Sequence, residues 1–287
     1  MSPERNAITE LIGASGHEQV VFFADASVGL RGIVAIHSTA LGPSLGGIRF
    51  QRYDSERDAV IDVLRLSEAM SLKASVAGLS QGGGKAVVIL DEPSAPRSEA
   101  FLRALGRAIQ QLGGRYIAAE DVNATQADMD GIALETPWVT GVDVARGGSG
   151  DPSSVTAVGV LCAMHAVCDE RFGDRSLRGR RVVVQGAGHV GAHLVVLLVD
   201  AGASVAVADV DAARAERCGV ECVDVHDVLD TPCDILAPCA LGAVLTVESV
   251  ARLQCAAVCG AANNQLLDDE AGDALAARGI LYAPDFV

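Results

Sequence analysis

The stretch that most constrains the fold lies in the second half of the chain and reads "RRVVVQGAGHVGAHLVVLLVDAGASVAVADVD". Its first apolar segment, Arg181–Gln185, predicts a buried strand that runs into three glycines spaced as G-x-G-x-x-G. A helix pattern follows, and then a second strand pattern that ends at Asp209. This order of strand, glycines, helix, strand and carboxylate predicts the dinucleotide-binding unit of a doubly wound, Rossmann-type α/β domain.

Each residue type in this unit has a physical role. Gly186 permits a tight turn, Gly188 lets a pyrophosphate approach the backbone, and Gly191 lets the helix pack close to the strand. His189 and Val190 lie between these glycines, at a helix N-terminus whose N–H groups and dipole favour phosphate. The alternative is a domain that uses the glycines only for packing.

The carboxylate at the end of the second strand bears on the choice of cofactor. Asp209 is expected to accept hydrogen bonds from the adenosine ribose, and its charge repels a 2′-phosphate. Arg214 follows closely and could accommodate NADP, but a solvated helix arginine is the favoured interpretation. NAD is therefore the expected cofactor.

A second notable segment, "SLKASVAGLSQGGGK", places Lys73 and Lys85 on either side of a small, apolar stretch. The preceding "SERDAVIDVLRLSEAM" predicts an amphipathic helix that starts at Ser55 and places Lys73 near its end. "KAVVIL" predicts a strand, with Lys85 on the glycine loop before it, and "RYIAAEDV" predicts a strand that delivers Asp121 at its exit. Clefts form at such element ends.

Two cations in a chain of net charge −15 need a local reason. A fixed cation is the best anchor for a substrate carboxylate, a role that suits Lys73. Desolvation and the neighbouring cation would both lower the pKa of Lys85, which would then exchange protons near neutral pH. The alternative is that both lysines only confer surface solubility.

Length and charge limit the remaining possibilities. The 287 residues predict two domains, residues 1–140 and 141–287, with the glycine-rich "ARGGSGDPSS" as the hinge. The 37 acidic against 22 basic side chains disfavour nucleic acid and membrane surfaces as partners. No leader pattern and no apolar run of about 18 residues is found, so a cytoplasmic protein is expected.

The eight cysteines all lie in the second half of the chain, among alanine, valine and leucine. This setting predicts free thiols that are buried like small hydrophobic side chains. The cluster of Cys218, Cys222 and His226 matches no common zinc-ligand spacing. No metal site is predicted.

Eight segments together resemble the glutamate, leucine, phenylalanine and valine dehydrogenase family, and most closely its valine and leucine members. In chain order, from about His17 to the last residue, they are "LGPSLGGIRF", "SLKASVAGLSQGGGK", "AAEDVNAT", "SGDPSSVTAVGV", "VVVQGAGHVGAHL", "CDILAPCALGA", "CGAANNQL" and "GILYAPDFV". The resemblance implies NAD-dependent, reversible oxidative deamination of an L-amino acid to its 2-oxo acid and ammonium, by a homo-oligomer. It also implies a two-domain α/β fold.

The resemblance implies roles for individual residues as well. Lys73 matches the lysine that holds the substrate carboxylate together with an asparagine, which should be Asn263 or Asn264. Lys85 matches the catalytic lysine that activates water, and Asp121 matches the aspartate that relays protons to and from the amino nitrogen. The matches to the side-chain pocket, small or aliphatic and therefore suited to a branched-chain or other aliphatic substrate, are Leu45, Gly46, Met70 and Ala119. The matches near the nicotinamide and its ribose are Thr156, Cys239, Ala240 and Leu241.

The sequence departs from the family pattern in three places. Leu72 stands where the family usually has tyrosine, and Asn123-Ala124 replaces a usual Gly-Thr. The family continues beyond "YAPDFV" with an "INAGG"-like segment and further helices, whereas this sequence ends at Val287. A fragment, a short form completed by a neighbouring subunit, and a homologue of changed activity each fit that difference. The alternative functions are a non-catalytic NAD-binding homologue and a reductase of an unusual 2-oxo or imino acid in a biosynthetic pathway.

Overall fold

The computed structural model describes residues 8–143, 145 and 151–287. The chain forms two compact units, one up to Asp151 and the other from Pro152 to Asp285. Half of the predicted hinge, residues 146–150, lies outside the described residues. The domain boundary after residue 140 stays a prediction.

The first unit is built on a five-stranded mixed sheet of order β1-β2-β4-β3-β5. Its strands are β1 (Gln19–Asp25), β2 (Leu30–Ser38), β3 (Ser44–Gln51), β4 (Gly82–Ile89) and β5 (Tyr116–Glu120). Its helices are α1 (Ile8–Ala14), α2 (Glu56–Val76), α3 (Glu99–Gln110) and α4 (Gln126–Ile132). Strands β3, β4 and β5 are parallel, so their carboxyl ends meet at one edge of the sheet.

Helices cover both faces of this sheet. The apolar side chains of α2, among them Val60 and Val63, pack on one face against Val87 of β4. Phe101 of α3 packs on the other face against Ile48 of β3. The predicted start of α2 is confirmed, because the Ser55 side chain accepts the first-turn N–H of Asp58 as an N-cap.

The predicted glycine loop before Lys85 is wrong, because β4 begins at Gly82 and Lys85 lies inside the strand. The glycines serve close packing and not a turn. A Cβ on Gly82 would lie 1.9 Å from the carbonyl oxygen of Ser38, and one on Gly83 would lie 2.2 Å from the backbone nitrogen of Ser71. Their missing side chains let α2 and a neighbouring strand approach the backbone of β4.

The second unit is a six-stranded parallel sheet of order β11-β10-β9-β6-β7-β8. Its strands are β6 (Arg181–Gln185), β7 (Ser204–Ala208), β8 (Glu221–Cys222), β9 (Ile235–Pro238), β10 (Ala257–Val258) and β11 (Leu281–Tyr282). Its helices are α5 (Ser153–Phe172), α6 (His189–Asp200), α7 (Ala212–Arg217), α8 (Val247–Arg252) and α9 (Asp269–Ala277). When the strands are renumbered with β6 as strand 1 and read from β8 to β11, the order is 3-2-1-4-5-6, which is the Rossmann arrangement. The predicted fold class is confirmed.

The cysteines are all free thiols, but the prediction that they are buried is only partly correct. Cys168 and Cys259 are buried, whereas Cys162 and Cys222 are exposed. Cys162 lies on α5, and Cys222 ends the edge strand β8, so neither is enclosed on all sides. Within the described chain, no helix is long and apolar enough to cross a membrane, and no group of three His, Cys, Asp or Glu side chains could hold a metal ion.

Candidate active site

The first unit contains a buried ion pair between Lys85 and Asp121. The Lys85 Nζ lies 2.9 Å from Asp121 Oδ2, and the Nε of Arg49 lies 2.9 Å from the same oxygen. The Lys85 side chain is only 5% exposed, and the side chains of Arg49 and Asp121 are each 13% exposed. Two of the predicted site residues are thus brought together, with an arginine that the sequence analysis did not single out.

Burial and charge shift the ionisation of this cluster. Burial lowers the pKa of Lys85; the Asp121 charge opposes this effect and the Arg49 charge adds to it. Burial alone would raise the pKa of Asp121, but Lys85 and Arg49 outweigh burial and hold it below its usual value. The neighbouring cation that helps to lower the Lys85 pKa is therefore Arg49, whereas the sequence analysis assigned that effect to Lys73.

Strand alternation explains why these side chains meet. On β4, Val87 packs against α2, so Lys85, two residues earlier, faces the same side of the sheet. On β3, Ile48 packs on the opposite face, so Arg49 also faces α2. Asp121 directly follows β5, which is parallel to β3. Neighbouring strand positions thus direct one carboxylate and two cations to a single face.

Gly47 makes room for this arrangement. It is paired with Ala119 across β3 and β5, and a Cβ on Gly47 would lie 2.6 Å from the Cβ of Asp121. A larger residue at this position would displace the carboxylate. Sequence reasoning missed Gly47 because its close neighbour lies more than seventy residues away in the chain.

The loop after Asp121 is held by Asn123. Asn123 has a φ of 60°, in the left-handed region that glycine and asparagine tolerate best, and its side chain donates to the carbonyl oxygen of Phe50 at 2.9 Å. Arg97 donates to the carbonyl of Asn123 and stacks 3.8 Å above the Phe50 ring. Asparagine therefore suits this left-handed backbone position and adds a hydrogen bond that holds the loop.

Lys73 lies in the last turn of α2, as predicted, and is half-buried. Met70, one of the predicted pocket residues, is half-buried on the same helix. Of the other predicted pocket residues, Leu45 and Gly46 lie on β3 and Ala119 lies on β5. The carbonyl of Gly46 accepts a hydrogen bond from the buried Tyr116 hydroxyl at 2.7 Å, which fixes the adjoining strand.

Lysine itself is a signal that sequence reasoning missed. Lys73 and Lys85 are the two lysines of the whole sequence, in which all other basic side chains are arginine. Arginine does not lose its proton under ordinary conditions, whereas a buried lysine does. A side chain of this kind, with a compact ammonium that can give up its proton, therefore stands at two positions of the sequence.

The second unit places the glycine segment at the amino end of α6. Gly186 has a φ of 102°, which only glycine adopts readily, and Gly188 is the residue before α6, with open space where a Cβ would stand. A Cβ on Gly191 would lie 1.9 Å from the Gly186 carbonyl oxygen. Among the described residues, no side chain caps α6, so its first N–H groups can bind an anion.

The remaining predicted cofactor residues lie around the same edge of the sheet. Cys239, Ala240 and Leu241 follow β9, which neighbours β6, and a Cβ on Gly186 would lie 2.9 Å from the Ala240 nitrogen. The strand order reverses between β6 and β9, the switch point at which open α/β sheets bind ligands. Burial raises the pKa of the Cys239 thiol to about 11, so it stays neutral.

Asp209 directly follows β7, which ends at Ala208, one residue earlier than the strand end predicted from the sequence. Its Oδ2 accepts the N–H of Ala187 at 2.7 Å and its Oδ1 accepts the N–H of Asp211 at 2.8 Å. The carboxylate is thereby fixed beside the glycine turn. His189 and Val190 open α6, with the His189 side chain exposed.

Three other predicted residues lie elsewhere in the second unit. Thr156 is exposed in the first turn of α5, and its hydroxyl donates to the Pro152 carbonyl. Asn264 has a φ of 51°, and its N–H donates to Asp285. Asn263 and Asn264 are both half-buried. Lys73 belongs to the first unit, so its pairing with an asparagine of the second unit stays a prediction.

Comparisons with known proteins match both units. The family model described as Glu/Leu/Phe/Val dehydrogenase, dimerisation domain, matches residues 17–138, and the one described as Glutamate/Leucine/Phenylalanine/Valine dehydrogenase matches residues 147–226 and 210–287. The leucine dehydrogenase of Thermoactinomyces intermedius is 50% identical over 275 residues, which cover 94% of this chain and 75% of that protein. The valine dehydrogenase of Streptomyces virginiae is 50% identical over 279 residues, which cover 95% and 78%.

Solved structures agree with these matches. The L-tryptophan dehydrogenase of Nostoc punctiforme has a TM-score of 0.74 and 37% identity, covering 97% of this chain and 80% of that chain. The hetero-hexameric glutamate dehydrogenase of Thermus thermophilus has a TM-score of 0.78 and 26% identity, covering 94% and 72%. The chain therefore belongs to the glutamate, leucine, phenylalanine and valine dehydrogenase family and is an amino acid dehydrogenase, as its sequence motifs predicted.

Proposed function

We propose that this amino acid dehydrogenase uses NAD to deaminate a branched-chain or other aliphatic L-amino acid, reversibly, to its 2-oxo acid and ammonium. The observation that carries the proposal is the buried pair of Lys85 and Asp121, 2.9 Å apart. A buried lysine beside a carboxylate can exchange protons with a water and an amine, as deamination requires. The leucine and valine dehydrogenases among the relatives support an aliphatic substrate.

Different residues bind the substrate and transfer the protons during deamination. Lys73, together with Asn263 or Asn264, holds the substrate carboxylate, and Asp121 takes a proton from the substrate ammonium. Loss of hydride from Cα then gives the imino acid, and neutral Lys85 takes a proton from the water that adds to it. Asp121 returns its proton to the nitrogen, the C–N bond breaks, and the hydroxyl proton passes to the departing ammonia, so that ammonium leaves and the 2-oxo acid remains. One water is consumed, and one proton is released overall.

The nature of the side-chain pocket supports the substrate class. Leu45, Gly46, Met70 and Ala119 offer apolar or small side chains and no partner for a polar group. Positions of this kind favour an aliphatic substrate, because a polar group left unpaired among them would cost about 1–3 kcal/mol.

The second unit fits NAD. When bound, NAD supplies the hydride acceptor. The open space at Gly188 and the uncapped start of α6 suit a pyrophosphate, and the ring-side positions are those of Thr156, Cys239, Ala240 and Leu241. The fixed carboxylate of Asp209 suits ribose hydroxyls and repels a 2′-phosphate, which favours NAD over NADP.

We also propose a homo-oligomer located in the cytoplasm. The family model of the first unit is described as a dimerisation domain, and the Thermus relative is a hexamer. Eight free thiols are typical of a reducing compartment.

The test is an assay of NADH formation from NAD with L-valine, L-leucine, L-isoleucine, L-phenylalanine, L-tryptophan and L-glutamate. Lys85→Arg keeps the positive charge beside Asp121 but gives up no proton, so it should abolish turnover while NAD binding by calorimetry is retained. Arg31→Gln, at an exposed position on β2, is the matched control and should behave like the wild type.

The possible outcomes separate the alternatives. Turnover of the aliphatic substrates that is lost in Lys85→Arg supports the proposal. Preference for tryptophan or phenylalanine would overturn the substrate class alone. No turnover of any of the six amino acids, with NAD binding intact, would favour a non-catalytic homologue. An equal rate with NADP would overturn the cofactor assignment.

A further inference from the structure

A chain of partly buried polar contacts continues beyond the Lys85 and Asp121 pair. Arg49 donates from Nε to Asp121, and its Nη1 lies 3.1 Å from Oδ2 of Asp62 on α2. The hydroxyl of Tyr53 donates to the same Asp62 oxygen at 2.6 Å. The contacts therefore run without a break from Tyr53 through Asp62 and Arg49 to the catalytic pair.

The guanidinium is the group that makes this chain possible. Its planar donors reach two carboxylates in different directions, which the single ammonium of a lysine does not do with the same geometry. Burial, and then the Asp62 charge, raise the pKa of Tyr53, so the phenol keeps its proton and remains a donor. Arg49 in turn stays charged between Asp121 and Asp62, which raise its pKa against the effect of burial.

We propose that Arg49 is a positioning residue of the deaminating site, which fixes Asp121 so that Oδ2 faces Lys85 and Oδ1 is presented to the substrate amino group. Both cations contact Oδ2, which turns the second oxygen away from them. The proposal rests on the proposed function, since it assigns to Asp121 the substrate amino group. Arg49 itself acts through Asp121.

The same arginine joins the catalytic pair to helix α2. Asp62 and Lys73 are eleven residues apart on α2, close to three helical turns, and therefore lie on similar sides of the helix. The contact of Arg49 with Asp62 thus fixes the helix that carries Lys73 relative to the strands that carry Lys85 and Asp121. Arg49 sets the geometry of proton transfer and of the carboxylate anchor together.

The small number of lysines permits a direct test. In a protein with ¹³C-labelled lysine side chains, NMR should show two lysine signals, from Lys73 and Lys85. Arg49→Gln removes a positive charge next to Lys85 and should raise the Lys85 pKa. The optimum of kcat/KM for deamination should move to higher pH, and kcat should fall by about tenfold or more, because Asp121 is no longer fixed.

The variant Arg49→Lys distinguishes the effect of the positive charge at this position from the effect of fixing Asp121. It restores the positive charge, so the pKa of Lys85 and the pH profile should return towards those of the wild type, while kcat stays low. Full recovery of kcat in Arg49→Lys would overturn the positioning role, as would a pKa and a pH profile left unchanged by Arg49→Gln. Arg31→Gln, with its arginine exposed on β2, should change none of these quantities.

A double variant tests whether a loss of activity in Arg49→Gln is caused by misfolding. Arg49→Gln leaves the half-buried Asp62 without its cation, so Arg49→Gln/Asp62→Asn removes this ion pair as a whole. Its circular dichroism should match that of the wild type, and its kcat should remain low. If the wild type deaminates none of the amino acids, the proposed function fails, whereas the pKa comparison still decides whether Arg49 controls the Lys85 site.

Discussion

A Cβ atom on Gly191 would lie 1.9 Å from the carbonyl oxygen of Gly186, so α6 approaches the turn after β6 as closely as two backbones can. A Cβ atom on Gly188, which lies between them in the sequence, would have no neighbouring atom within 4 Å. One glycine is thus required by the fold, whereas the other leaves space that the protein does not fill.

Alanine at these two glycines should have different effects. Gly191→Ala forces α6 away from the turn and should lower both the melting temperature and the affinity for NAD. Gly188→Ala should leave the melting temperature unchanged and weaken NAD binding by about tenfold, because its methyl group meets the pyrophosphate. Thermal unfolding and calorimetry measure both, and normal NAD affinity in Gly188→Ala would show that the phosphates do not approach there.

Removal of the Asp209 charge should relax the choice of cofactor. Asp209→Asn keeps an acceptor for the Ala187 N–H but no longer repels a 2′-phosphate. We expect the ratio of kcat/KM for NAD to that for NADP to fall about tenfold, or about 1.4 kcal/mol. Asp211→Asn removes a neighbouring charge and should leave the ratio close to that of the wild type; an equal change in both variants would mean that only the general field matters.

Gly47→Ala should affect chemistry more than cofactor binding. The added methyl group would lie 2.6 Å from the Asp121 Cβ and should push that carboxylate away from Lys85. We expect kcat for deamination to fall by about ten- to a hundredfold while the Kd for NAD stays constant. Gly13→Ala, which meets nothing within 4 Å on α1, is the control. A normal kcat in Gly47→Ala would show that the position of Asp121 is not critical.

The stability of the first unit should depend on pH through His17. Its ring nitrogens contact Ser15 and Ser67, and burial, followed by the charge of His37, lowers its pKa to about 4. An unfolded histidine has a pKa of about 6.5, so between these values the unfolded chain binds more protons. This contribution to stability is fully present above pH 6.5 and is lost as the pH falls towards 4.

Urea midpoints measured from pH 7 to pH 4 test this dependence. The urea midpoint should fall as the pH is lowered in the wild type. It should fall less steeply in His17→Gln, which retains hydrogen-bonding groups but does not titrate. Parallel curves for the two proteins would assign the pH dependence to other groups.

The backbone at Asn123 gives a prediction about stability. Asn123→Ala and Asn123→Gly both lose the bond to the Phe50 carbonyl, but only alanine is strained at a φ of 60°. Alanine should therefore be less stable than glycine by about 1 kcal/mol. Denaturant titration of the two variants checks this difference, and the opposite order would mean that the flexibility of glycine in the unfolded chain dominates.

The second unit was readily predicted because its signals are local. Strand, glycines, helix and strand follow each other between Arg181 and Ala208, and each element is specified by its own residues and their immediate neighbours. Asp209, at the end of the segment, follows its strand directly, so its place could also be predicted.

The first unit was harder to predict because its key contacts join distant residues. Consecutive glycines usually indicate a turn, but Gly83 makes room for Ser71, which only the folded chain brings near. Arg49 is one of many arginines, and nothing in "GGIRF" shows that it lies between Asp62 and Asp121. Lys85, Asp121 and Lys73 were singled out from the sequence, and the first two are in contact, whereas Arg49, which joins Asp121 to Asp62, could not be singled out.

The position of Lys85 inside β4, with β2 on one side and β3 on the other, has a consequence for its accessibility. An acylating reagent that attacks amines should therefore reach this side chain, which is only 5% exposed, through the same opening that admits substrate and water, and more slowly than it reaches an open lysine. Lys73, partly exposed at the end of α2, is open to the reagent in the folded protein. The ratio of the two labelling rates therefore measures how open the substrate side of Lys85 is in the folded protein, with Lys73 as an internal standard within the same molecule.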